Sequence, residues 1–170
     1  MEAYFDNSAT TRCYREVADI VMKTMTEDFG NPSAMHTKGV EAEQYVRKSA
    51  DAISQLLKVT PKEILFTSGG TESDNLALFG AAEANKRSGN HIITTSVEHA
   101  AVGQPIERLE QMGYEVTILP VDERGVVKMD ALGAALRPDT ILVSTMYVNN
   151  EVGAVMPVEE IGKLVHENSP

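Results

Sequence analysis

The stretch Phe66-Thr67-Ser68-Gly69-Gly70-Thr71-Glu72-Ser73-Asp74-Asn75 constrains the fold most, because two adjacent glycines separate a short apolar run from a helix-like one. Residues Glu63 to Phe66 read as a buried strand, and Leu76, Ala77, Leu78, Phe79 and Ala81 read as a helix packed on a sheet. Thr71 and Asp74 stand at capping-box spacing, which predicts a helix start near Thr71. Gly69 and Gly70 permit positive φ and let a ligand approach the backbone. Free amides and the positive end of a helix dipole then converge on one point, a seat for a phosphate. The same residues also make an ordinary tight strand-to-helix connection, and the turn alone leaves both readings open.

Around this turn the chain alternates between strand and helix patterns. Tyr4 to Arg12 is short, polar and rich in side chains that bond their own backbone, so an extended arm is expected. Val17, Ile20, Val21 and Met25 share one helical face, and Phe29-Gly30-Asn31-Pro32-Ser33 makes the turn that follows. Val40, Val46, Ala50, Ile53 and Leu57 predict a long amphipathic helix that Thr60-Pro61 stops. His91 to Thr95 and Glu115 to Leu119 read as strands, as does Ile141 to Met146. Val97 to Gly103 has no clear period, and Pro105 is placed in the first turn of the helix carrying Ile106, Leu109 and Met112. Ser96 to His99 is then a loop after a strand end, where ligands meet an open α/β sheet. Met129 to Leu136 and Val158 to His166 complete the helices. The expected fold is α/β, a mainly parallel sheet with helices on both faces. A doubly wound sheet would continue with another strand after the last helix, so the sheet looks unfinished.

Composition narrows the function classes. A chain of 170 residues can bury a real core, and its net charge of −10 opposes nucleic acid and anionic membranes as partners. No apolar run approaches the roughly 20 residues of a membrane span, and Met1 to Asp6 lacks signal-peptide character, so a cytoplasmic location is expected. Cys13 is the single cysteine, which rules out an internal disulfide and reads as a small buried or half-buried residue. His36, His91, His99 and His166 show no metal-ligand spacing, and no metal is expected.

Five ordered stretches together resemble the cysteine desulfurases, within the class V aminotransferases of the pyridoxal 5′-phosphate (PLP) fold type I enzymes. They are Asp6-Asn7-Ser8-Ala9-Thr10-Thr11, Phe29 to His36, Thr67 to Glu72, Glu98-His99 and Asn149-Asn150-Glu151-Val152-Gly153. The resemblance covers essentially the whole chain. It implies an arm over residues 1–14 and, over 15–170, the N-terminal portion of an incomplete PLP-binding large domain.

The resemblance also implies roles. Gly70 and Thr71 would hold the cofactor phosphate, His99 would lie over the pyridine ring and move protons, and Asn150 would bond the ring hydroxyl oxygen. Asn7, in the substrate-binding region, and His36 would lie near the active-site entrance. Without the resemblance His99 reads as a surface or capping histidine and Asn150 as a turn asparagine. The complete enzyme would convert L-cysteine to L-alanine and leave sulfur as a persulfide on a catalytic thiol, for delivery to an acceptor or scaffold protein. The Schiff-base lysine and the acceptor cysteine of such enzymes have no counterpart here: Lys38, Lys62, Lys128 and Lys163 match no such motif, and Cys13 lies in the arm. The chain alone is therefore expected to be inactive, and to form a homodimer or pair with a C-terminal portion. The alternatives are a non-catalytic binding or assembly module built on the same fold, self-associating through the sheet edge near Ile141 to Met146, and a different class V enzyme such as a selenocysteine lyase.

Overall fold

The computed structural model describes residues 2–168. In chain order its elements are α1 (Arg15–Thr26), α2 (Thr37–Leu57), a 3₁₀ turn (Pro61–Glu63), α3 (Gly70–Asn85), β1 (His91–Thr95), α4 (Ala100–Gln111), β2 (Glu115–Leu119), α5 (Met129–Ala135), β3 (Thr140–Val143) and α6 (Val158–Asn168). They divide after Phe66 into two compact units. Among the described residues no helix is long and apolar enough to cross a membrane.

The second unit is built on β1. Its β-branched residues form the centre of a three-stranded parallel sheet in the order β2-β1-β3. All of β1 is buried, as a parallel strand covered on both faces requires. Successive side chains point to opposite faces. Ile92 packs with Leu78, Ala82, Ile106 and Leu109 of α3 and α4, whereas Ile93 packs with Leu119, Val127, Leu132, Met156 and Ile161 on the side of α5 and α6. The expected α/β class with helices on both faces is what forms.

At the amino end of the sheet one side chain ties three strands. The buried His91 imidazole meets Thr140 Oγ1 of β3 through Nδ1 at 2.7 Å and Thr117 Oγ1 of β2 through Nε2 at 2.8 Å. Burial pushes its pKa below the ordinary value, and the Arg137 charge adds to the shift, against Asp139 and Glu115. Arg137 itself is held by Asp139 at 2.7 Å and by Glu115 at 2.7 Å.

The first unit holds the arm, α1, α2 and the 3₁₀ turn. Val17, Ile20, Val21 and Met25 do share one face of α1, but no residue of that helix is buried. Tyr45 of α2 donates to Asp28 at 2.6 Å, and Lys23 of α1 pairs with the same carboxylate at 3.3 Å. The Tyr45 hydrogen bond is the main reason that the Asp28 carboxyl titrates below the usual range.

Several expectations are corrected. Glu63 to Phe66 is not a strand: Glu63 folds back on Thr60, accepting from its amide at 2.7 Å and its hydroxyl at 2.8 Å, and Leu65 and Phe66 stay exposed. The cap goes with a 3₁₀ turn over Pro61–Glu63, and among the described residues the sheet has three strands where four were expected. The long helix stops at Lys58, in the left-handed conformation at φ 56°, before Thr60-Pro61 is reached. Pro105 lies inside α4 and not in its first turn, because α4 starts at Ala100 under a cap from His99. The packing of Ala101, Ile106 and Leu109 there outweighs the proline's missing amide. Finally, Cys13 is exposed, since the arm around it folds against nothing that would cover it.

Two predictions follow from this core. Ile93→Ala removes a fully buried side chain and should cost about 2–5 kcal/mol in urea unfolding. His91 is held neutral, so its folded pKa lies below its unfolded value of about 6.5 and the unfolded state binds more protons between the two. The stability it lends is complete above about pH 6.5 and is lost as pH falls through the folded value, so unfolding midpoints should drop on acidification and drop less in His91→Gln.

Candidate functional site

The carboxyl ends of β1 and β3 each run into a loop, and two side chains bind these loops to one another. Glu98 Oε1 accepts from the Thr95 hydroxyl at 2.7 Å and from the Met146 amide at 2.9 Å. Asn149, almost fully buried, donates through Nδ2 to the Val97 carbonyl at 3.1 Å, and its Oδ1 accepts from the amides of Glu151 and Val152, both at 2.9 Å. The next residue after each anchor, His99 and Asn150, is exposed and faces the same hollow of about 440 Å³. Residues 51 positions apart in the sequence thus line one hollow.

His99 has a second duty. Its Nδ1 accepts from the Ala101 amide at 3.0 Å, capping α4. That bond requires an unprotonated Nδ1, so the neutral ring carries its hydrogen on Nε2 and offers it as a donor. The cap therefore engages only one of the two ring nitrogens.

The glycine turn is built differently from the sequence expectation. Gly69, not Thr71, occupies the N-cap position of α3, with no side-chain cap. The expected Thr71–Asp74 box gives way to Glu72, which reaches back to the Ser68 amide at 2.7 Å and hydroxyl at 2.6 Å, because Thr71 is already inside the first turn. These Ser68 contacts, the hydroxyl first, keep the Glu72 carboxyl below its ordinary pKa. The first intrahelical bond runs from Ser73 to Gly69, which leaves the amides of the first turn facing out.

Neither glycine adopts a left-handed φ: Gly69 is extended at φ 166° and Gly70 is helical. A Cβ added at either would meet nothing within 4 Å. By contrast, a Cβ at Gly89 would lie 2.2 Å from the Asp139 carbonyl oxygen. Packing explains Gly89, whereas at Gly69 and Gly70 the missing side chains leave only bare, open backbone.

The predicted residues thus fall into four places. His99 and Asn150 share a hollow, and Gly70 and Thr71 lie at the exposed start of α3, outside that lining. Asn7 belongs to the first unit, where it donates to the Tyr4 carbonyl at 3.4 Å and lines a separate hollow with Thr10 and Arg12. His36 caps α2 by accepting from the Gly39 amide at 3.3 Å. The sequence alone points to no separate role for Glu98 or Asn149. The signal for Asn149 is an asparagine four residues before a glycine, a turn role expected of Asn150 instead; the link from Glu98 to Met146 leaves no signal, because the two lie 48 positions apart.

Glu98→Ala strips the Met146 amide and the Thr95 hydroxyl of their acceptor and should cost about 1–3 kcal/mol, with Glu98→Gln costing less. Amide hydrogen exchange at Met146 should speed up markedly in the alanine variant, and urea unfolding gives the stability change.

The chain matches the class-V aminotransferase family over residues 3–169. The cysteine desulfurase IscS of Methanosarcina thermophila is 47% identical over 165 residues, which are 97% of this chain and 41% of that protein. Among solved structures, a NifS-like protein superposes with a TM-score of 0.94 at 41% identity, covering 99% of this chain and 46% of its own. SspA, in complex with cysteine, superposes with a TM-score of 0.90 at 35% identity over 96% of this chain and 47% of its own. The chain therefore spans less than half the length of these relatives. With the parallel sheet, the glycine turn and the two-loop hollow in place, the protein belongs to the class-V aminotransferase family and is similar to its cysteine desulfurases.

Proposed function

We propose that this chain is the cofactor-holding part of a PLP-dependent cysteine desulfurase, acting on L-cysteine. The observation that carries the reading is the pair of glycines at the start of α3, which neither packing nor backbone conformation requires. They leave first-turn amides open to an anion, the electrostatic setting that a phosphate ester needs. The donor set fits the rest of the cofactor as well. An imidazole and a carboxamide on one hollow suit a flat, polar heterocycle.

In this reading Gly70 and Thr71 hold the phosphate, and His99 and Asn150 hold the ring. When bound, PLP supplies an electron sink for charge that develops at the α-carbon of an amino acid. His99 contributes the proton on Nε2, because the cap at Ala101 occupies Nδ1. Asn150 offers its amide hydrogens to an oxygen on the ring, and Asn149 sets its direction by fixing the loop. Asn7 and the arm over residues 1–14 contribute at the substrate entrance, with 15–170 forming part of the large domain. Sulfur would pass to a thiol, then to an acceptor protein, in a cytoplasmic dimer.

The lysines of this chain match no Schiff-base motif, so the isolated chain should bind PLP reversibly and release no sulfide from cysteine. Equilibrium dialysis should show PLP bound at least about tenfold tighter than pyridoxal, which lacks the phosphate. Gly70→Asp should abolish that difference, and Asn150→Ala should weaken binding by about three- to tenfold. Equal affinity for PLP and pyridoxal, or rapid sulfide release by the chain alone, would overturn the assignment.

A further inference from the structure

Strand β2 lies at one edge of the sheet. The Glu115 amide bonds Asn90 and the Leu119 carbonyl accepts from Ser96, so these odd positions face β1. In a parallel ladder the alternate residues face the other way, so the amides and carbonyls of Val116 and Ile118 point outward from the sheet. Ile118 is 61% exposed, a large apolar residue on an open edge. An edge of this kind is a template for another strand.

Beside the edge runs a groove of about 320 Å³, with an apolar floor from Ile106, Val116 and Ile118. Glu107 and Glu110 of α4 stand on its rim, both exposed and neither in an ion pair among the described residues. Thr94 also lines it and is only 4% exposed, yet its hydroxyl has no hydrogen-bond partner among the described residues. A buried hydroxyl left unpaired costs free energy that an incoming donor or acceptor would recover. Edge, floor, rim and hydroxyl converge on one kind of ligand.

We propose that the open edge of β2 and the groove beside it form a docking surface for an extended segment of a partner protein that carries both apolar residues and lysine or arginine on the one side that faces α4. Added as a strand, such a segment pairs with the backbone of Val116 and Ile118 and lays its apolar side chains on the groove floor. Its cations meet Glu107 and Glu110. Charge selects this occupant over a second copy of the chain at this edge, because two Glu107–Glu110 rims would bring like charges together there. The surface does not depend on the cofactor reading.

The test uses the full chain and a fluorescein-labelled peptide of repeated valine-threonine-lysine-threonine, which puts valine and lysine on one side of a strand, followed by fluorescence anisotropy. Saturable binding that weakens with salt is expected, with the same peptide carrying glutamate in place of lysine binding at least about tenfold more weakly. Ile118→Pro removes an outward amide at an edge position that tolerates proline, and should weaken binding about tenfold or more. Joint Glu107→Lys and Glu110→Lys, on an exposed helix face, should do the same without loss of fold by circular dichroism. Thr94→Val should keep or raise stability while weakening binding. Binding that ignores both Ile118→Pro and the charge reversal would overturn the proposal, as would equal binding of the glutamate peptide. Sedimentation showing a dimer that Ile118→Pro dissolves would place a second copy on the edge and overturn it too.

Discussion

The Glu98 carboxylate is the contact on which the functional end of the molecule depends. One oxygen accepts from Thr95 at the end of β1 and from Met146 beyond the end of β3, so two loops that share no local sequence move as one body. Asn149 repeats the arrangement from the opposite loop by gripping the Val97 carbonyl. A bond to an ionised acceptor is stronger than a neutral one, and it is screened less where the acceptor is half-buried. The placement of His99 and Asn150 follows from these bonds, because each sits next to an anchored residue with little freedom to turn away.

The same unit carries its polar groups at opposite ends of the sheet for different purposes. At the amino end His91 closes three strands with both ring nitrogens engaged, which fixes the register but leaves nothing to offer a ligand. At the carboxyl end the polar side chains bind loops to loops, and the neighbours they hold stay exposed. Between the two ends lie the apolar clusters around Ile92 and Ile93, whose burial supplies the driving force for folding. An open α/β sheet presents ligands at the carboxyl ends of its strands, and the division of labour here follows that rule.

The first unit has a different character. α1 buries none of its residues and leaves its apolar face of Val17, Ile20, Val21 and Met25 in contact with water. Its order comes from polar contacts, such as Tyr45 and Lys23 on the Asp28 carboxylate, and from caps such as that of His36 on α2. A relative more than twice as long matches this chain at 47% identity, and the amphipathic pattern of α1 is a part of the code that the chain does not itself use for burial.

The sequence by itself determined the elements whose signals are local. The β-branched run at His91 to Thr95, the period of α2, the turn at Gly69-Gly70 and the alternation of strands with helices fixed an α/β fold and located the residues of the hollow. The order of motifs from Asn7 to Gly153 pointed to the class V aminotransferases, to which the chain belongs. Wherever the answer depended on a distant partner, tertiary structure decided. Glu63 to Phe66 has strand composition but pairs with no strand among the described residues, Pro105 sits inside a helix because the core side of α4 holds it, and the turn bonds belong to Asn149 and not to Asn150. The role of Glu98 was invisible for the same reason, since a hydrogen bond across 48 residues leaves no periodicity or spacing in the chain and exists only once β1 and β3 lie side by side.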